Sequence, residues 1–285
     1  MNDLPEAAGL KRFPLARRGM MMTSLMTGFT LATTRVDAQA IKTDMAGIDA
    51  GEFQLKVADG MLPAYFARPT GAGPFPTVLV IEEIFGVQEY IKDTCRRFAK
   101  LGYMAVATEL YARNGDLSKA SGFEQIGPII AAAPTATTFT DLDSSAAWAA
   151  ANKGSADRLG VTGFCRGGRL TWLYASHNPK LKAAVAWYGP IMGPTSDIQP
   201  IGPLDVADKL DCPLLGLYGA KDTGIKVEDV EKAAAKAKAA GKTVEIVVYP
   251  DAGHGFHADY RPSYVVADAA DGWNRLQAWF KKYGV

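Results

Sequence analysis

Cysteine and histidine are both scarce in this sequence, with three of each among 285 residues. Cys95, Cys165 and Cys212 form neither a CxxC pair nor a ligand cluster, which argues against a thiolate zinc site and a disulfide-stapled scaffold. An excess of charge of one sign is missing too. Lys and Arg number 31 against 30 Asp and Glu, a net charge of +1, so nothing in the charge points to nucleic acid or a strongly acidic partner. The apolar run Met20–Thr34 is too short to span a bilayer comfortably, and Gly28 and several threonines weaken it further. Repeats and internal linkers are also absent. What the chain does have is 48% hydrophobic residues, enough to bury a sizeable core, at the upper end of the length one α/β domain usually occupies.

The first forty residues read as a targeting segment rather than as part of the fold. Lys11, Arg12, Arg17 and Arg18 make a basic region, the apolar run follows, and Ala38-Gln39-Ala40 is a small-x-small cleavage signature. The adjacent Arg17-Arg18 points to a twin-arginine signal and hence to the bacterial periplasm. Cleavage after Ala40 would leave a chain from 41 to 285 with 26 basic and 27 acidic residues and no membrane span.

From there strands and helices alternate. Phe53–Val57 and Pro63–Ala67 alternate apolar with polar around the turn pair Asp59-Gly60, which predicts a hairpin. Pro76–Ile81, Tyr103–Ala107, Arg158–Thr162, Leu181–Trp187, Cys212–Tyr218 and Thr243–Tyr249 are apolar or β-branched runs of the kind buried in a mostly parallel sheet. Helical spacing marks Glu89–Leu101, Arg169–Ala175, Glu228–Ala240 and Tyr264–Tyr283, and Thr140-Asp141 reads as the cap of another helix. Residues 112–137 have no clean period and are expected to form an excursion over the site, while 189–203 reads as a loop. The pattern is a single doubly wound α/β sheet.

One stretch organises the rest. Gly163-Phe164-Cys165-Arg166-Gly167-Gly168 lies between a strand and a helix, the context of a nucleophile elbow, with cysteine where serine is usual. A nucleophile there needs a base and an orienting acid. Asp222, in Gly219–Gly224, follows one strand, and His254, in Pro250–Phe256, follows the next; both fall at the carboxyl edge of a parallel sheet. Nucleophile, acid, histidine is the chain order of an α/β-hydrolase. His257 is the fallback base or a rim residue, and His177 sits at the end of the elbow helix, where a cation is favoured. Glu82-Glu83 stand just past the first buried strand. The backbone N–H groups of Ile84 and Arg166 are the expected oxyanion donors.

Taken together, Glu83–Val87, Glu109–Arg113, Gly163–Gly168, Gly219–Asp222 and Ala252–Phe256 resemble the dienelactone hydrolase (carboxymethylenebutenolidase) family over roughly residues 50–283. The resemblance implies a single α/β-hydrolase domain and a Cys-His-Asp triad acting on a small-molecule ester or lactone, without metal or organic cofactor. It places the nucleophile on Cys165, the base on His254 and the acid on Asp222. It also assigns to Glu83 a glutamate that interacts with the cysteine and governs its ionisation, and places Phe85 and Tyr188 in the pocket. Family members hold the substrate carboxylate with arginines, one of them a few residues beyond the histidine. Here that segment runs from His254 to Arg261, so the arginine is displaced and His257 intervenes. The competing class is a binding protein on a hydrolase scaffold, its thiol serving redox work.

Overall fold

A computed structural model describes residues 40–285; the expected signal segment 1–40, all but its last residue, lies outside the described residues. Eight strands form one sheet: β1 (Ile48–Val57), β2 (Gly60–Pro69), β3 (Phe75–Ile81), β4 (Met104–Thr108), β5 (Gly154–Phe164), β6 (Leu181–Trp187), β7 (Leu214–Gly219) and β8 (Val244–Tyr249). Their order is β1-β2-β4-β3-β5-β6-β7-β8. The expected hairpin is present, with Val57 opposite Gly60, and β1 and β2 are the antiparallel edge. All other pairs are parallel. The parallel strands are mostly apolar because helices cover both faces; every residue of β4 and β7 is buried.

The helices are α1 (Glu89–Lys100), α2 (Phe123–Ala131), α3 (Thr135–Ala151), α4 (Arg166–Tyr174), the single turn α5 (Pro203–Val206), α6 (Val227–Ala239) and α7 (Val266–Tyr283). From β3 the chain first steps through α1 to β4 and then, through α3, crosses back past β3 to β5. Right-handed crossovers running in opposite directions put their helices on opposite faces. Phe98 of α1 accordingly packs against Trp273 and Phe280 of α7 on one face. On the other, Tyr174 of α4 donates to Asp143 of α3 at 2.8 Å. The reversal at β3 opens a crevice at the carboxyl ends of β3 and β5, where α/β sheets bind ligands.

Two expectations need correction. The 112–137 excursion contains a 3₁₀ turn (Leu117–Lys119) and helix α2, whose period is masked by Gly127 and Pro128 within it. Helix α3 starts at Thr135, after Pro134, rather than at the Thr140-Asp141 pair. Polar residues inside this helix bond back along it, Thr138 to the Pro134 carbonyl at 3.0 Å and Ser144 to that of Thr140 at 2.8 Å, so they stay helical. Asp141 instead pairs with Arg113 at 2.6 Å. His177 pairs with Asp143 at 3.0 Å, a helix-to-helix clasp remote from the crevice.

Candidate active site

The elbow forms because β5 delivers the chain to Cys165 at the point where α4 begins. Cys165 has φ 56° and ψ −116°, a strained backbone for a residue with a side chain, and such strain persists only where its surroundings hold it. Its N–H donates to the Trp187 carbonyl at 3.0 Å, and its carbonyl accepts from the Arg169 N–H at 3.1 Å. Two glycines are required by close approach. A Cβ on Gly163 would lie 2.3 Å from the Gly167 carbonyl oxygen, and one on Gly167 would lie 2.4 Å from that of Ile81. The turn thus brings the start of α4 against the end of β3.

Cys165 is the partly exposed cysteine of the three. Burial pushes the Cys95 thiol far up and that of Cys212 up to about 12, so neither ionises near neutrality. The loops after β7 and β8 bring two further side chains to Cys165. His254 Nε2 lies 3.1 Å from Cys165 Sγ, and His254 Nδ1 lies 2.7 Å from Asp222 Oδ2. Asp222 serves two purposes at once. Its Oδ1 accepts the N–H groups of Gly224 at 2.8 Å and Ile225 at 3.1 Å, closing a turn, which leaves Oδ2 aimed at the imidazole. Burial opposes a proton on His254, but the facing sulfur and the Asp222 carboxylate outweigh it and hold the imidazole up at about 10. A chain of this kind can carry a proton from thiol to imidazole and keep the imidazolium oriented.

Beside it lies a second polar cluster. Glu83 is fully buried, and three donors occupy its carboxylate: Arg261 Nη2 at 3.0 Å on one oxygen, Tyr260 Oη at 2.7 Å and Gln88 Nε2 at 3.3 Å on the other. The structure therefore joins Glu83 to Arg261 and Tyr260, and no hydrogen bond joins it to Cys165. The Arg261 guanidinium also lies over the Phe85 ring at 5.0 Å. Its Nη1 is buried and has no acceptor. The Tyr188 ring meets that of His254 edge-on at 5.2 Å. Tyr188, like Cys165, has a positive φ, 36°. Ile84 and Phe85 form the turn between the bridged residues Glu83 and Gly86. Arg166 is the first residue of α4, so its N–H has no acceptor within the helix.

His257 departs from its expected place at the rim. It is 3% exposed, 2.6 Å from the Tyr90 hydroxyl and set among the rings of Phe164, Trp187 and Trp273. Burial, with Arg97 nearby, lowers its pKa well below the usual imidazole range, so it is a neutral core residue. Sequence reasoning missed Tyr260, Gln88 and Gln199. Gln199 accepts from Arg166 Nη2 at 2.8 Å and donates to the carbonyls of Ile130 and Ala133 at 2.8 Å each. It thereby ties the end of the 112–137 excursion to the residue after the elbow cysteine. No local pattern marks a glutamine for that task; only the meeting of two loops does. Among the described residues no group of three or more His, Cys, Asp or Glu is placed to hold a metal ion, and no helix is long and apolar enough to cross a membrane.

Comparison with known proteins agrees with this architecture. The profile of the dienelactone hydrolase family matches residues 62–284. A carboxymethylenebutenolidase candidate of Methylorubrum extorquens is 54% identical over 274 residues, covering 95% of this chain and 94% of that protein. One of Escherichia coli K12 is 47% identical over 266 residues, covering 93% and 98%. The crystal structure of a dienelactone hydrolase candidate from Klebsiella pneumoniae superposes with a TM-score of 0.81 at 51% identity, covering 83% of this chain and 99% of that one. With its sheet, its crossovers and the elbow at the switch point in place, the chain belongs to the dienelactone hydrolase family and is a carboxymethylenebutenolidase-like hydrolase with an α/β-hydrolase fold.

Proposed function

We propose that the protein opens a lactone or cleaves an ester through a thioester on Cys165, in the periplasm after export. The observation that carries this reading is the unbroken run from Asp222 through His254 to the sulfur of the elbow residue, with contacts of 2.7 and 3.1 Å. His254 takes the thiol proton, and the thiolate attacks the acyl carbon. The carbonyl π electrons move to oxygen, where the N–H groups of Ile84 and Arg166 receive the charge; one such donor is worth roughly 3–4 kcal/mol elsewhere. Collapse breaks the carbon–oxygen bond, and His254 protonates the leaving alkoxide, which in a lactone remains attached to the acyl chain. Water, deprotonated by His254, then adds to the thioester and displaces the thiolate.

In this reading Phe85, Tyr188 and Arg261 serve the substrate. The unspent Nη1 of Arg261 supports an anionic group on the acyl portion, reached when Phe85 turns aside. Glu83, held by Arg261, acts on the thiol indirectly: an anion drawing on that arginine frees the glutamate toward Cys165. Thiolate attack suits an activated ester or lactone better than an amide.

Cys165→Ala should abolish hydrolysis of p-nitrophenyl acetate and of a five-membered enol lactone while leaving the thermal transition in place. Mass spectrometry of the wild type quenched during turnover should show an acyl adduct on Cys165. Turnover surviving Cys165→Ala would end the proposal. N-terminal sequencing of protein exported by a bacterial host checks the localisation, with Ile41 as the expected first residue.

A further inference from the structure

The segment that carries Glu83, Ile84 and Phe85 is fastened by a second pair of acids. Glu82, the last residue before it, is fully buried, and its Oε1 accepts the Leu110 N–H at 2.8 Å. Glu109, at the end of β4, is half-buried, and its Oε1 accepts the Val87 N–H at 2.8 Å. Each carboxyl thus binds the backbone of the other's loop: Glu82 holds the residue after Glu109, and Glu109 holds the residue that closes the 83–87 turn. Two close approaches complete the fastening. A Cβ on Gly86 (φ +77°) would lie 2.8 Å from Glu109 Oε2, and one on Gly167 would lie 2.5 Å from the Glu82 carbonyl oxygen. The clasp therefore connects the end of β4, the turn after β3 and the elbow.

One atom in the clasp lacks a partner. Glu82 Oε2 is buried with no hydrogen-bond partner, and the Glu82 carboxyl faces that of Glu109. An ionised carboxylate with one buried oxygen left bare is costly inside a protein, and two ionised carboxylates facing each other repel. A single proton between them removes both penalties.

We propose that Glu82 and Glu109 hold one proton between them, and that this shared proton makes them a positioning pair for the 83–87 turn and its oxyanion donor, the Ile84 N–H. The inference rests on the reading of Ile84 given above. The surroundings favour the protonated form. Burial raises both carboxyls above their ordinary range, Glu82 well above it, and the charge of Glu109 adds to that rise. Glu82 also faces the Leu110 and Tyr111 N–H groups and the Tyr111 phenol. Glu109 faces the Val87 N–H, Lys92 of α1, which opposes its rise, and Asp116, which adds to it. Glu109 and Lys92 also line a cleft of about 280 Å³ with Glu52, Phe53, Tyr65 and Val87, which gives the shared proton a path to water.

The pair is a positioning device, so its test reads more than turnover. Difference infrared spectra of the wild type at about pH 8 should contain a carboxylic-acid C=O band. Two other buried acids, Asp141 and Asp259, are each paired with an arginine, Arg113 and Arg97, which favours their ionised form. Glu82→Gln, whose amide donates to Glu109 at any pH, should lose the band and keep kcat for p-nitrophenyl acetate within about threefold. Glu109→Ala, which releases Val87, should lower kcat about 10- to 100-fold with KM changed less than threefold, a fraction of what a lost oxyanion donor costs. The wild type should also lose kcat at alkaline pH as the shared proton leaves, and Glu82→Gln should resist that loss. Absence of the band, its persistence in Glu82→Gln, or an unchanged kcat in Glu109→Ala would each overturn the proposal. The infrared arm needs no turnover, so failure of the hydrolase reading and failure of the shared proton are separate results.

Discussion

His254 and His257 lie three residues apart on the loop after β8, and the fold gives them opposite electrostatic environments. His254, 22% exposed in its side chain, has a carboxylate on one ring nitrogen and a sulfur on the other, and these hold its proton up to about 10. His257, packed among aromatic rings with Arg97 nearby, is kept neutral. Residue type and chain position barely distinguish them. The distinction is made by what each ring faces: ionisable partners in the crevice, or the aromatic layer beneath it. The same lesson holds for Cys165, turned toward the crevice, and Cys95, buried in the core with its thiol pushed far up.

The contrast breaks down if the two histidines respond alike to substitution. The largest effect should come from His254→Gln, which removes the base. It should lower kcat/KM for p-nitrophenyl acetate by roughly 10³-fold or more, with the thermal midpoint shifted little. His257→Ala should do the reverse. Removing a ring from a packed aromatic core costs about 3 kcal/mol, read by urea unfolding, and the protein that remains folded should keep most of its kcat. Equal losses of activity in the two variants would show that His257 belongs to the site after all.

A pH series sharpens the comparison, because the two contributions have opposite signs. A pKa raised from 6.5 to about 10 gives stability that is fully present below 6.5 and lost as pH rises through about 10. The gap in thermal midpoint between wild type and His254→Gln should therefore close toward alkaline pH. A lowered pKa gives stability present above 6.5 and lost as pH falls. His257→Phe should thus be less sensitive to acid than the wild type, and a parallel acid limb would contradict a buried neutral His257.

The smallest effect tests the cluster next door. Glu83→Gln leaves Arg261 without its counter-charge and should change the pH dependence of Cys165 alkylation by iodoacetamide, with a rate change of about tenfold or less at neutral pH. An unchanged profile would remove Glu83 from any control of the thiol.

Much of the fold is legible in the chain because its signals are local. Apolar runs give the parallel strands, and Asp59-Gly60 marks the hairpin that closes with Val57 opposite Gly60. Helix α2 was hidden because Gly127 and Pro128 interrupt its pattern, yet the surrounding loops hold it. The start of α3 differs from the expected one because Thr and Asp are capping residues by habit, whereas here Thr140 bonds within the helix, to the Thr137 carbonyl, and Asp141 pairs with Arg113. In the site, Cys165, Asp222 and His254 could be named in advance because each lies in the turn or loop that follows a strand. Their partners could not. Glu83 and Arg261 are 178 positions apart, and nothing local in either predicts their meeting.

By itself, then, the sequence determined the strand–helix alternation, the elbow and the residues delivered to the carboxyl edge of the sheet. Each of those depends on a few neighbouring residues and on the fixed handedness of the crossovers. The tertiary structure alone decided that Glu83 is held by Arg261 and Tyr260, that Gln199 ties two loops to Arg166, and that His257 lies in the core. Those outcomes depend on how loops from separate strands pack over one another, and burial among them sets which groups hold a charge.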